Sequence, residues 1–292
     1  MYQQKPSYTS NIRRSNATSI AELQARVFNS YSDAYLKSIC DKGINDLVSH
    51  KNESRAVAKH QRIEELLNDS KIKLFFEVAN PQQLYFLAGN PHVLKILGEE
   101  SLPKFLSCGY NTRKRLVKNA VLSLIIRQSD NKDNLMQKLL DDKSPKVKAA
   151  LYSNRSIIML IPKERIINEL SNGPIQVKVA IASNPSSSLI LNRYEIKKHI
   201  LTSESTEVKI AAAKNMLLMI KSGTDMNILL NDKFSVIMAL LSEKNNLAYL
   251  NHNELYSLRS KYRKNPLIKH LIYRAIHHTN MARANVYGIR RT

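Results

Sequence analysis

The chain has 292 residues, 43% hydrophobic and 24% charged, enough to bury a large core; this excludes an intrinsically disordered protein. Its 45 Lys and Arg against 24 Asp and Glu leave a net charge of +21, a balance that suits a polyanionic partner: nucleic acid, an anionic membrane or an acidic protein. Seven glycines and two cysteines, Cys40 and Cys108, are too few for glycine-built hairpins and phosphate loops or for a disulfide framework. They point instead to an all-helical chain with buried thiols in a reducing, cytoplasmic compartment.

In chain order, residues 1–18 read as a disordered tail without the apolar stretch of a secretory signal. Residues 19–79 predict a helical N-terminal cap. Ser19–Cys40 and Glu53–Asn68 have amphipathic spacing, with Ala21, Leu23, Val27, Phe28, Tyr31, Tyr35 and Leu36 as packing residues. Asp41-Lys42-Gly43 reads as a helix stop between them. No apolar run approaches the roughly 20 residues of a membrane span, so no transmembrane segment is expected.

Residues 80–258 carry a repeat. The stretch VKVAIASN at Val177 matches VKAALYSN at Val147, VKIAAAKN at Val208 and VKNAVLSL at Val117, with weaker copies at Val236 (VIMALLSE) and in Gln83–Pro91 (QLYFLAGNP). A period near thirty residues is a mark of stacked helical units. Each unit reads as two short helices. The first opens at Ser144-Pro145, Gly173-Pro174 or Ser205-Thr206-Glu207, where Ser accepts an orphan N–H and Pro lacks one. It closes at Asn154, Asn184 or Asn215, a residue that tolerates a left-handed cap. Val177, Ala180, Ile181 and Asn184 share one face, while Val179 and Ala182 point elsewhere, so the helix is apolar on more than one side and predicts burial between neighbours. Asn192 to Glu195 has the spacing of a capping box opening the second helix.

These units resemble HEAT-like repeats of the shorter kind, with Val-Lys-x-Ala where that class has Val-Arg-x-Ala; VKVAIASNP also resembles the leucine-rich-repeat variant. The resemblance implies an all-α, right-handed α-solenoid of about five to six two-helix repeats with helical caps at both ends. It implies no single activity. Residues 259–292 then form a basic C-terminal helix and tail, starting near Pro266 with Ile268, Leu271, Ile272, Ala275 and Ile276 on one face.

The charge is unevenly spread. Residues 259–292 hold nine bases and no acid; residues 111–140 hold seven bases and two acids; residues 41–110 are neutral. The candidate polyanion-binding residues are therefore Arg113, Lys114, Arg115 and Lys118 in the first cluster, and Arg259, Lys261, Arg263, Lys264, Lys269, Arg274, Arg290 and Arg291 in the second. Tyr262, Tyr273, Tyr287, His270, His277 and His278 interleave the second cluster, as phosphate neutralisation with base stacking requires. Lys118, Lys148, Lys178 and Lys209 recur one repeat apart. Such a ladder either tracks a phosphate backbone or pairs inward with turn carboxylates such as Asp141, Asp142, Glu204 and Glu207; the inward reading is preferred.

No catalytic pattern stands out. His277-His278 are adjacent and point to different sides of a helix, and His60 with Glu64 is one turn apart but lacks a third ligand. No metal or cofactor site is expected, and the chain reads as a binding module for nucleic acid or an acidic protein partner rather than an enzyme. A protein–protein adaptor or scaffold subunit of a larger assembly is the alternative. The HEAT-like DNA alkylation glycosylases are a remoter one, because the chain has no Trp.

Overall fold

A computed structural model describes residues 31–215, 228–243, 250 and 252–286, with backbone only at Arg193 and 278–286. The described residues are all helix, turn and loop, with no strand, so the chain is all-α. Among them no helix is long and apolar enough to cross a membrane. The expected helical start at Ser19, the tail before it, and Tyr287, Arg290 and Arg291 lie outside the described residues. The chain divides into two compact units, 1–121 and 122–292, a boundary inside the 80–258 repeat span.

The first unit begins with α1 (Asp33–Lys42), α2 (Ile44–Ser49) and α3 (Lys51–Lys59). Gly43 ends α1 at φ 129, a conformation open to glycine and costly to a side chain, so the stop at Asp41-Lys42-Gly43 is found where the sequence places it. The expected helix over Glu53–Asn68 is broken. His60 is extended, a 3-10 turn covers Ile63–Glu65, and Asn68 caps a new helix, α4 (Asp69–Val78), by accepting from the Lys71 N–H at 2.9 Å. The break lets Ile63, Leu66 and Leu67 turn inward together, and each such side chain contributes about 1.5–3 kcal/mol on leaving water. It also separates His60 from Glu64. His60 Nε2 meets Asp33 at 3.1 Å, and Glu64 faces His92 instead.

The unit continues through α5 (Pro81–Leu87), α6 (Pro91–Leu97), α7 (Leu102–Ser107) and α8 (Tyr110–Val117). Helices α3, α5 and α8 pack one on the next. Cys40 is fully buried and Cys108 half-buried. Burial, only partly offset by Lys71, pushes the Cys40 thiol up to about 11.

The second unit holds α9 (Leu122–Gln128), α10 (Lys132–Leu140), α11 (Pro145–Ser153), α12 (Arg155–Ile158), α13 (Lys163–Asn172), α14 (Ile175–Ser183), α15 (Ser187–Ile190), α16 (Arg193–Ile196, continuing as a π turn to Leu201) and α17 (Thr206–Lys214). It closes with α18 (Phe234–Ser242), α19 (His252–Lys261) and α20 (Pro266–Val286). Here α11, α14, α17, α18 and α20 pack in sequence. The repeat valines Val147, Val177, Val208 and Val236 are fully buried, and Ala150, Ala180, Ala182, Ala211 and Ala212 let the helices approach closely. Ile268, Leu271, Ile272 and Ala275 are buried, so the start of α20 is core.

The repeat asparagines do more than stop helices. Asn154, Asn184 and Asn215 have extended or near-extended backbones, and among the described residues no non-glycine residue has positive φ, so the left-handed cap is not used. Instead the Asn184 Oδ1 accepts from the Ser186 N–H at 2.9 Å, while its Nδ2 donates to the Tyr152 carbonyl of the preceding helix at 2.8 Å. Asn215 repeats the second bond to Ala182 and to Asn184, both at 2.9 Å. In the first unit Asn90 donates to His60 at 2.9 Å and Asn119 to Ala88 at 3.1 Å. One carboxamide thus fills a cap and binds the previous turn, which a serine, with no second polar arm, does not do.

Asn119 also corrects the register of one copy. Val117 ends α8 rather than opening a helix, so the corner lies at Asn119, and Thr112–Asn119 is the counterpart of Val147–Asn154. Lys118 therefore stands one residue before the corner, and Arg113 occupies the position of Lys148. At the last step no asparagine is present. Arg274 of α20 takes over, donating to Ser242 at 2.9 Å and Leu241 at 3.3 Å.

Candidate functional site

The first unit presents a basic and aromatic cleft. Helix α5 is pinned by a capping box: Asn80 Oδ1 accepts from the Gln82 and Gln83 N–H groups at 3.0 Å, and Gln83 Oε1 accepts from the Asn80 N–H at 2.7 Å. Gln83 further donates to the buried Ser54 hydroxyl at 2.8 Å, which locks α5 to α3. With its start fixed, α5 offers Tyr85, Phe86 and, one turn on, Gly89 to α8. The Arg115 guanidinium lies 4.7 Å from the Tyr85 ring centre and 5.4 Å from that of Phe86; Arg55 lies 5.4 Å from Phe86 as well. A Cβ at Gly89 would sit 2.1 Å from Arg115 Nε, so the absence of a side chain there is what lets Arg115 lie down.

Lys114, Lys118 and Asn111 complete a cleft of about 410 Å3 lined by no carboxylate. Among the described residues no acid pairs with Lys114, Arg115 or Lys118. Arg113, by contrast, turns inward and donates to the Cys108 carbonyl at 2.6 Å.

The second unit treats its repeat lysines differently. Lys148 forms an ion pair with Glu169, the two side chains only 19% and 11% exposed. Lys209 pairs with Asp232 at 2.5 Å, and Lys178 donates to the Ser171 carbonyl at 2.7 Å. Pairing with a carboxylate thus describes Lys148 and Lys209, with different partners from those expected, while Lys178 bonds a backbone carbonyl in an exposed position. Asp141 pairs with Arg165 and Asp142 caps Ser144. Burial works against the Asp232 carboxylate, but the bonds from Lys209 and the Lys233 N–H outweigh it and hold its pKa below the ordinary aspartate range. A second cleft of about 520 Å3 includes Lys178, Lys198, His199 and Glu204. Burial, then Lys198, lowers the His199 pKa below that of an ordinary histidine.

In the C-terminal cluster Lys261, Arg263, Lys264 and Lys269 are exposed around the α19–α20 turn. Arg259 lies 4.6 Å from the Tyr273 ring centre and Lys261 5.5 Å from that of Tyr262. Arg274 is committed to the backbone, and Arg290 and Arg291 lie outside the described residues. Sequence reading missed Tyr85, Phe86, Gly89 and Arg55. The available cue was Gly89, which stands where other copies have Ser153 or Ser183; a glycine there marks close approach by a neighbour.

Among the described residues no group of three or more His, Cys, Asp and Glu is placed to hold a metal ion. No protein family, curated protein or solved structure matches the chain.

Proposed function

We propose that the chain is a non-enzymatic, cytoplasmic binding module, built as an α-solenoid of HEAT-like repeats, whose basic surfaces engage nucleic acid or another polyanion. The solenoid part is supported by first helices that stack in sequence within each unit and by corner asparagines that bond one repeat back. The observation that carries the binding part is the division of labour among bases. Lys148 and Lys209 are neutralised within the fold, whereas Lys114, Arg115 and Lys118 surround a cleft with no carboxylate, and Lys261, Arg263, Lys264 and Lys269 stand exposed together. Such clusters neutralise phosphates and release counterions.

The test is fluorescence anisotropy of the full chain with labelled DNA and RNA across a salt series. The logarithm of Kd should rise linearly with that of salt, by about 0.7–0.9 per phosphate contact. Changing Lys261, Arg263, Lys264 and Lys269 to Glu should weaken binding without unfolding the protein, because these side chains are exposed. Removing 259–292 outright is a poorer experiment, since it takes buried Ile268, Ile272 and Ala275 with it. Absence of nucleic-acid binding at low salt overturns the reading.

A protein adaptor is the second reading, favoured by Leu189 and Tyr194, which are 74% and 72% exposed in the second unit. A stoichiometric protein partner retained after nuclease treatment and lost in Leu189→Ser would support it.

A further inference from the structure

We infer that the cleft around Tyr85 and Arg115 is a subsite for single-stranded nucleic acid, holding an unstacked base against the Arg115–Tyr85 platform while Lys114 and Lys118 take the adjoining phosphates. The inference rests on the polyanion reading and deepens it. A ligand that offers only phosphate needs ammonium groups and nothing else, and Lys114 and Lys118, one helical turn apart, already supply them. The cleft contains more. A guanidinium held against two aromatic rings is a planar, cationic surface, and its place is reserved by a glycine whose Cβ would collide with Arg115 Nε at 2.1 Å. Aromatic rings and guanidinium planes are the groups on which splayed bases stack. Asn111 at the rim adds a carboxamide that both donates and accepts, as base edges require and phosphates do not. A duplex offers phosphates and groove edges but keeps its base faces inside its own stack, so the ligand that can stack on such a platform is a single strand.

The experiment compares the full chain with Tyr85→Leu, Gly89→Ala and Arg115→Lys against three probes: a short oligothymidine, a duplex of equal length, and heparin. Gly89→Ala and Arg115→Lys keep the charge, the first evicting the guanidinium from its seat and the second removing its plane. Each should weaken oligothymidine binding about tenfold, leave the salt slope unchanged and leave duplex and heparin binding nearly intact. Lys114→Ala with Lys118→Ala should instead lower the single-strand salt slope by about 0.7 per lost contact. Thermal melts report folding; should Gly89→Ala melt early, Arg115→Lys decides. Unchanged oligothymidine affinity in Arg115→Lys and Tyr85→Leu, or an equal loss for heparin, overturns the subsite while the polyanion reading stands. Failure of the unaltered protein to bind any of the three probes overturns both.

Discussion

The two units put their bases to different uses: Arg113, at the place of Lys148, turns inward as Lys148 does, whereas Lys114, Arg115 and Lys118 stand where the second unit has Ala149, Ala150 and Ser153. In the second unit Lys148 and Lys209 reach carboxylates on later segments, Glu169 and Asp232, and are sealed with them. In the first unit the bases of α8 lie beside an aromatic pair and a glycine, and no acid lines their cleft. The difference teaches that a lysine repeated every thirty residues is not evidence of a binding stripe. What decides is whether a carboxylate sits within reach, and that depends on the segment which follows each first helix.

The comparison breaks most sharply at Lys148. Replacing it by Met leaves Glu169 buried without its cation, and this should cost about 3 kcal/mol or more in denaturant unfolding while leaving nucleic-acid affinity unchanged. Lys114→Ala should do the reverse: stability within about 0.5 kcal/mol of the unaltered protein, affinity reduced. A neutral Lys148→Met would erase the distinction.

Next in size is Asn184→Ala. It removes the cap at Ser186 and leaves the Tyr152 carbonyl without its donor, an expected loss of about 2 kcal/mol by thermal or urea melts. Asn119→Ala should cost a similar amount in the first unit, since both its bonds have counterparts there. Unequal losses would show that the corners are not equivalent.

Acid titration sharpens the electrostatic side. The Asp232 pKa is lower in the folded chain than in the unfolded one, so its contribution is complete above the unfolded value of roughly 3.9 and is lost as pH falls through the folded value. Asp232→Asn should flatten that part of the stability profile, measured by urea midpoints from pH about 5 downwards. The smallest effect is expected at Lys178, whose ammonium donates an exposed bond to the Ser171 carbonyl. Lys178→Ala should change stability by less than about 0.5 kcal/mol, which would separate it from Lys148 and Lys209 despite its identical place in the repeat.

Much of the local structure was legible in advance. The helix stop at Gly43, the capping box of Asn192 and Glu195, whose two reciprocal bonds are each 3.0 Å, the corners at Asn154, Asn184 and Asn215 and the apolar face of α20 all follow from residues within one or two turns of each other. The helix through His60 was not legible. Its residues favour continuation, and only the inward pull of Ile63, Leu66 and Leu67 and the Asn90 amide on the His60 carbonyl oppose it. The copy at Val117 misled for a related reason: Val-Lys-Asn-Ala matches the repeat letters, yet Val117 ends α8 and the bonds of Asn119 to the Ala88 carbonyl and the Val121 N–H put the corner there, with Thr112 in the place of Val147.

By itself, the amino-acid sequence determines that this chain is helical, where most of its second-unit corners fall and how strongly basic it is, because caps, helix breaks and net charge are set by neighbouring residues or by simple addition. The tertiary structure decides which bases remain available. Lys148 meets Glu169, Lys209 meets Asp232 and Arg115 settles on Gly89 only after segments more than twenty residues apart have packed; a carboxylate within reach fixes the first two, and the space left by a glycine beside two aromatic rings fixes the third.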